Sequence, residues 1–248
     1  MKNYLCVPLC AFMLMVAVSG CSSKPSDIQA EYLMMLDEPA SPQSILNVGN
    51  FLDKNLKKFD AGQADQMVIA YEDYIYSFDG EDPDYREFSD RYRKYVSAPM
   101  ANLFDIKQYE QENPMTAGDA QLRCSWMQLA ERALNLEVFI KENKSYQLVR
   151  DEAVRIYEYY IRAMLMGTSG TPIFEQNSGD FKGDAQNAYA EVAAAYPDTT
   201  VALVINEYFE YLESAQFKHD YRNSDDNTVF SDTCAYLVSE AGKRAMQR

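Results

Sequence analysis

The sequence contains a single histidine, His219, and this scarcity excludes several kinds of catalytic site. A metal site with several histidine ligands cannot form, and neither can the zinc-binding His-Glu-x-x-His motif. The chain also has no Gly-x-Ser-x-Gly elbow, no Ser-x-x-Lys pair, no Cys-x-x-Cys motif and no phosphate-binding glycine loop. His219 lies between Lys218 and Asp220, which favours a solvated loop residue over a general base. We therefore expect no metal site and no cofactor.

Alternating runs of β-branched residues bounded by turn pairs, which would predict strands, are also missing. Apolar residues instead recur every three or four positions, as they do in amphipathic helices. The sequence therefore predicts an all-α fold, built from antiparallel helical hairpins in a compact or gently solenoidal array. The clearest apolar stripe comprises Leu122, Trp126, Leu129, Ala133, Leu136 and Ile140.

Capping residues and helix breakers predict several helix boundaries. Ser41 followed by proline should start a helix, and Gly62 should end it. Gly80 should close the next helix, and Thr116 with Asp119 three residues later resembles a capping box. The other predicted elements are a helix over 145–167, a loop over 167–183, a helical pair at 185–196 and 201–212, and a last helix from Ser231 to about Met246.

After residue 21, no apolar stretch is long enough to cross a membrane, because Asp, Glu, Lys or Arg interrupts each one. The N-terminus carries one shorter apolar run, from Tyr4 to Val18, after the positive Lys2. A positive start, a short apolar core and a small-residue exit are typical of an export signal. The exit sequence VSGC, which ends at Cys21, resembles the lipobox of bacterial lipoproteins. In that family the cysteine receives a lipid and becomes the first residue after cleavage.

The resemblance implies a domain organisation and a location. Residues 1–20 would be a signal peptide, residues 21–41 would be the lipid-modified Cys21 and a spacer, and residues 42–248 would be a helical domain. Within the spacer, the segment AEYLMMLDE at 30–38 is the alternative, a short docking helix. Two or three acyl chains would hold the protein on a membrane without a transmembrane helix. Ser22 stands where Asp retains some lipoproteins at the inner membrane. We therefore expect the protein to be located in the cell envelope. In a host with two membranes it would be on the outer membrane, and otherwise on the outer face of the cell membrane.

Cysteine is scarce in the exported part of the chain. Cys6 and Cys10 lie in the signal segment and Cys21 is the lipid site, so only Cys124 and Cys234 remain. In an oxidising compartment these two residues can form one disulfide. Alternatively, they are two separate buried thiols, which is common for unpaired cysteine. The sequence leaves both alternatives open.

Positive side chains are fewer than negative ones: the chain has 23 Lys and Arg against 38 Asp and Glu, and its formal net charge is −15. Such a surface repels nucleic acid and anionic lipid headgroups, so membrane contact should be confined to the lipid anchor. A charged partner should be basic. The acidic turns at 79–84 and 225–226 lack the residue order of an EF-hand, which favours solvated turns with helix-capping roles over calcium sites.

Tyrosine is abundant, with 19 residues, and six of them share one pattern. The segments 68–75, 154–161 and 205–212 each carry an apolar residue followed by two tyrosines at three-residue intervals. They are either an eroded duplication of helical hairpins or a coincidence among tyrosine-rich helices. The rings can line a groove for sugars or an extended peptide, or they can pack at helix edges with their hydroxyls in water, and the sequence favours packing. The six residues are Tyr71, Tyr74, Tyr157, Tyr160, Tyr208 and Tyr211.

The segment AYAEVAAAYPDTT, residues 188–200, resembles the helix–turn junction of tetratricopeptide repeats, where proline ends a helix after an Ala/Tyr stripe. The resemblance covers one junction and lacks the 34-residue period of that family.

The lipobox, the helices and the missing catalytic motifs predict a membrane-anchored extracytoplasmic lipoprotein. Its helical domain would bind an envelope protein or an extended ligand, and the sequence favours this binding role over an enzyme. The alternative is a carboxylate-dependent envelope hydrolase, which needs only two suitably spaced carboxyl groups. A transporter solute-binding protein fits less well, because those proteins resemble larger α/β two-domain folds.

Overall fold

The computed structural model describes residues 24–247, and within this range the chain forms ten α-helices and no β-sheet. The all-α fold predicted from the sequence is confirmed. A 3₁₀ turn follows the second helix, and isolated β-bridges occur in the loops. The helices are α1 (Pro25–Leu36), α2 (Pro42–Asn55), α3 (Ala61–Asp79), α4 (Tyr85–Tyr92), α5 (Ala98–Glu112), α6 (Trp126–Glu142), α7 (Gln147–Met166), α8 (Gly183–Ala195), α9 (Thr200–Ser214) and α10 (Ser224–Gln247).

Capping groups define several helix ends as the sequence predicts. The Ser41 hydroxyl accepts a hydrogen bond from the backbone N–H of Ser44 and so begins α2. Gly80, at φ 81°, ends α3 in the left-handed conformation that glycine adopts without strain. Gly167, at φ 70°, ends α7, and the predicted loop follows it. These boundaries are confirmed because each depends on a local interaction.

Two predicted boundaries are wrong. Gly62 does not end a helix, because Asp60 caps α3 and the glycine falls in its first turn. Thr116 does not cap a helix either, because it pairs with Leu122 in an isolated antiparallel bridge. The side chain of Ser125 caps α6 instead, in a capping box with the third residue of the helix.

The segment expected to be a spacer contains α1, as the alternative of a short docking helix over 30–38 allowed, but the helix begins five residues earlier, at Pro25. Ile28 and Tyr32 of α1 are buried. The Tyr32 hydroxyl donates a hydrogen bond to the backbone oxygen of Met67 in α3, at 2.5 Å. Residues 1–20 and Cys21 lie outside the described residues, so the signal peptide and the lipid site stay predictions.

The last five helices pack into a closed bundle around α6. This helix contacts α7, α8, α9 and α10, while α7 also contacts α10 and α8 also contacts α9. Because α10 also packs on α6 and α9, the chain returns on itself instead of continuing outward. Among the first five helices, α1 packs on α2, α2 on α3 and α4 on α5, and α5 contacts α7. A tetratricopeptide-like arrangement stays a prediction.

A buried carboxylate connects α6 to α9. Glu137 accepts hydrogen bonds from the backbone N–H groups of Thr200 at 2.7 Å and Val201 at 3.0 Å. The first N–H groups of a helix have no partner within the helix, and the positive end of the helix dipole attracts a negative charge. Glu137 therefore fixes where α9 begins against the side of α6.

Cys124 and Cys234 are free thiols in the structure. Burial raises the pKa of the Cys234 thiol to about 12, and it also raises the pKa of Cys124 above the ordinary value. Both side chains are therefore protonated at neutral pH, and neither is activated as a nucleophile. None of the helices within residues 24–247 is long and apolar enough to cross a bilayer.

Candidate functional site

A large concave site, which we call the acidic cleft, lies where α3, α4 and α5 face α7. Its volume is about 820 Å³, which is in the usual range for ligand sites. Six carboxylates and four tyrosines line it, with only two cationic side chains. The carboxylates are Glu72, Asp73, Glu81, Asp82, Glu110 and Glu152, the tyrosines are Tyr76, Tyr85, Tyr159 and Tyr160, and the cations are Lys107 and Arg155.

A buried ion cluster forms the floor of the acidic cleft. Lys107 of α5 is 7% exposed, and its ammonium group forms salt bridges with Glu72 of α3 and with Glu152 of α7, the latter at 3.3 Å. The Tyr85 hydroxyl donates a second hydrogen bond to Glu72, at 2.7 Å. Arg155 pairs with Glu152 from the solvent side. The cluster therefore joins three helices through one ammonium group.

One oxygen of this cluster has no partner. Oε1 of Glu72 accepts the bonds from Lys107 and Tyr85, whereas Oε2 is buried and accepts no hydrogen bond from any described residue. Buried polar atoms are nearly always hydrogen-bonded, so an exception at the floor of a cleft indicates an acceptor for water or for a ligand.

A second ion pair closes the back of the acidic cleft. Arg132 of α6 donates to Glu110 of α5 at 2.9 Å and to the backbone oxygen of Asn113, also at 2.9 Å. Burial raises the pKa of the Tyr160 hydroxyl, and its hydrogen bond to Glu110 raises it further. Burial also raises the pKa of the Glu110 carboxyl, although its interactions with Tyr160 and Arg132 lower it. The wall is thus held by groups from α5, α6 and α7.

The rim carries the groups that a ligand would meet first. Tyr76 is 46% exposed and Tyr159 is 52% exposed. Asp73 and Asp82 lie on the same rim, and partial burial raises the pKa of both carboxyls. The neighbouring charge of Glu72 contributes to both increases, while Arg155 lowers the pKa of Asp73.

These groups make the acidic cleft suitable for a cation. Six carboxylates against two cations leave an excess of negative charge, which an incoming ammonium or guanidinium group would neutralise. Exposed tyrosine rings attract the same groups through their negative faces. Across residues 24–247, no group of three or more His, Cys, Asp or Glu side chains is arranged to hold a metal ion.

The six tyrosines of the repeated pattern do not form a binding face. Five of them are buried in the core, and Tyr211 is half-buried. The hydroxyls of Tyr71 and Tyr208 donate hydrogen bonds to backbone oxygens of α2 and α7, at 3.0 and 2.6 Å. The prediction that the hydroxyls reach water at helix edges is wrong for Tyr71 and Tyr208, because these hydroxyls bind the backbone of neighbouring helices. Only Tyr160 of the six lines the acidic cleft.

His219 lies outside the acidic cleft, and its predicted solvation is wrong. It is 7% exposed, because the rings of Phe174 and Phe230 cover it with centroids 5.2 and 4.7 Å away. Its Nε2 lies 2.9 Å from the Oδ1 atom of Asn227.

The two acidic turns are used in helix starts. Asp84 caps α4 by accepting hydrogen bonds from two backbone N–H groups, so the capping role of the first turn is confirmed. Asp225 and Asp226 lie in the first turn of α10. This helix begins at Ser224, seven residues before the predicted Ser231. Negative charge in the first turn favours the earlier start, because it interacts well with the helix dipole.

The sequence analysis missed the floor of the acidic cleft. Lys107 lies four residues after the buried Leu103, and Glu152 lies three residues after the buried Val149. Each charged residue therefore occupies the apolar stripe of its helix, as does Glu72 in α3. A charged residue within an apolar stripe is therefore the sequence pattern that indicates such a cluster. Its side chain is buried with the stripe, and a buried charge needs a partner.

No known protein family matches this chain, and no curated protein and no solved structure matches it. What the acidic cleft binds is therefore inferred from its own residues and geometry.

Replacing Lys107 with methionine should destabilise the protein, because Glu72 and Glu152 would remain buried without a counter-charge. We expect the free energy of unfolding to fall by about 3–5 kcal/mol, measured by urea denaturation at neutral pH. The matched control is Lys141→Met, at an exposed position on α6, which should change stability by less than about 0.5 kcal/mol. Equal stability of the two variants would contradict a structural role for the cluster.

Proposed function

We propose that this chain is a lipid-anchored extracytoplasmic binding protein whose acidic cleft holds a basic, extended segment of an envelope protein. The observation that carries the proposal is the excess of carboxylates over cations in a cleft of about 820 Å³. A lysine or arginine side chain entering the cleft would gain several carboxylate partners at once, and charge-assisted hydrogen bonds are among the strongest in proteins.

The preformed floor supports binding. Glu72, Lys107 and Glu152 hold one another in place, so the cleft needs little rearrangement when a ligand enters, and preorganisation reduces the cost of binding. The buried Oε2 atom of Glu72, a residue that lines the cleft, has no hydrogen-bond partner among the described residues and is a further acceptor. The exposed rings of Tyr76 and Tyr159 can stack on cationic side chains that follow along the segment.

The lipid anchor is proposed from the lipobox, and the position of α1 adds a geometric consequence. Cys21 precedes Pro25, the first residue of α1, by four residues. Four residues span at most about 14 Å when fully extended. The folded body would therefore sit directly against the membrane that holds the anchor, and its partner would be within reach of the same surface.

The raised pKa values of Asp73 and Asp82 favour a second candidate, a carboxylate-dependent envelope hydrolase. A carboxyl group with a raised pKa can act as a general acid. Binding is the better-supported role because the two carboxylates buried at the floor, Glu72 and Glu152, are both ion-paired with Lys107. A hydrolase would convert its bound ligand, whereas a binding protein would release it unchanged.

Pentalysine should bind the protein, and a peptide of five acetyl-lysines should not, as measured by isothermal titration calorimetry at low salt. The double variant Asp73→Asn, Asp82→Asn should bind pentalysine about tenfold more weakly.

The binding of pentalysine should also weaken as the pH falls. The affinity should begin to fall at a pH above about 4, the ordinary pKa of aspartate. The reason is that Asp73 and Asp82 have raised pKa values, so protonation removes their negative charge at a higher pH.

The matched control for pentalysine binding is Asp225→Asn, Asp226→Asn, which removes two exposed charges at the start of α10. Equal weakening by the two double variants would mean that pentalysine responds to net charge alone, and it would overturn the assignment of the acidic cleft.

A photo-crosslinking residue at Tyr76 or Tyr159 should capture a partner in intact cells, and the captured segment should be rich in Lys and Arg. The same residue at Tyr236, which is 59% exposed on α10, should capture little. Mass spectrometry of the adducts provides the measurement. Equal capture at Tyr236, or an acidic captured segment, would contradict the proposal, and a chemically altered ligand would favour the hydrolase.

A Cys21→Ser variant should no longer incorporate labelled fatty acid and should leave the membrane fraction, because the thiol is the proposed site of attachment. Labelled fatty acid in the variant would show that the lipid is elsewhere. Cys124→Ser is the control, since this half-buried thiol lies in the folded body.

A further inference from the structure

A second cavity, which we call the His219 pocket, lies beside the C-terminal end of α7 and the start of α10. Its volume is about 690 Å³, and it is separate from the acidic cleft. The cavity falls in the size range of small-molecule sites. Its walls include Arg162, Met166, Pro172, His219, Tyr221 and Phe230.

The His219 pocket has the opposite electrostatic character to the acidic cleft. None of the described residues that line it is an aspartate or a glutamate, although the chain has a formal net charge of −15. Its one permanent charge is the guanidinium group of Arg162, which is exposed on α7. Arg162 takes part in none of the salt bridges between residues 24–247, although the Glu158 carboxylate, one turn away on α7, interacts with it electrostatically. An anion in this pocket would therefore compete only with Glu158 for the guanidinium group.

The hydrogen bonds around Asn227 define the state of the neutral His219 ring. The Nδ2 group of Asn227 donates to the backbone oxygen of Tyr221 at 2.8 Å, so its Oδ1 atom faces His219. Since Oδ1 can only accept, Nε2 of His219 must carry the hydrogen. The other ring nitrogen, Nδ1, is then an acceptor, and none of residues 24–247 donates a hydrogen bond to it.

Much of the remaining wall is apolar and aromatic, and Thr168, Ser169, Gln176 and Ser231 add uncharged polar groups. The His219 ring lies between Phe174 and Phe230, and the edge of Tyr221 approaches it with the centroids 4.6 Å apart. Met166 and Pro172 complete the apolar lining. Such walls accept a flat aromatic ring, which would pack against Phe230 and Tyr221.

We propose that the His219 pocket binds a small aromatic carboxylic acid. The ligand carboxylate pairs with Arg162, the ring packs against the aromatic wall, and an N–H or O–H group on the ring donates to Nδ1 of His219. This site is independent of the proposed function, because its ligand is an anion and none of its residues lines the acidic cleft.

The single histidine allows a direct test by NMR, because its ring signals belong to one residue. Titration of the full folded domain with indole-3-acetate should shift the His219 ring signals saturably. Tryptamine has the same ring with an ammonium group in place of the carboxylate, and it should leave these signals unchanged. The ¹⁵N spectrum of the free protein at neutral pH should show the Nε2–H tautomer.

The variant Arg162→Gln should bind indole-3-acetate about tenfold more weakly. Ser231→Trp, at an exposed residue that lines the pocket, should block binding by filling the space. Lys141→Gln, on α6, is the control for the change in charge and should bind as the unmodified protein does. The absence of a saturable shift, an equal response to tryptamine, or full affinity of Arg162→Gln would overturn the proposal.

Discussion

The ammonium group of Lys107 is buried where α3, α5 and α7 meet, between the carboxylates of Glu72 and Glu152. Removing these charges from water costs several kcal/mol, and their mutual attraction offsets that cost only while they remain in contact. Any sliding of α5 along α7 would separate Lys107 from Glu152. The cluster therefore restricts the alignment of three helices more sharply than apolar contacts can, since apolar contacts are non-directional. The same alignment creates the floor of the acidic cleft.

Several buried tyrosines connect one helix to another. The hydroxyls of Tyr32, Tyr189 and Tyr208 each donate to a backbone oxygen of another helix, at 2.5 to 2.8 Å. Each ring adds apolar area to the core, while its hydroxyl restricts where the neighbouring helix can lie. Burial raises the pKa of all three hydroxyls, so they remain protonated donors at physiological pH.

The surface of the protein divides into regions of different charge. Carboxylates gather at the junction of α3, α4, α5 and α7, whereas the pocket beside His219 has none among its described lining residues. In a strongly acidic chain, the proposed anion site depends on Arg162, because the field near a pocket depends on its nearest charges. The two proposed sites would select ligands of opposite charge within one helical fold.

The sequence by itself determined the all-α class and those helix ends that depend on local groups, such as the cap at Ser41 and the left-handed Gly80. The resemblance of VSGC to a lipobox is also local in sequence, and the lipid attachment at Cys21 stays a proposal. The sequence did not indicate that α1 begins at Pro25, or that the hydroxyls of Tyr71 and Tyr208 bind the backbone of other helices, because both depend on contacts between distant segments. Only the tertiary structure decided the two candidate sites. Lys107 is separated from Glu72 by 35 residues and from Glu152 by 45, so no local pattern could bring them together. Helix formation depends on neighbours in sequence, whereas the partner of a buried charge is chosen by how the helices pack.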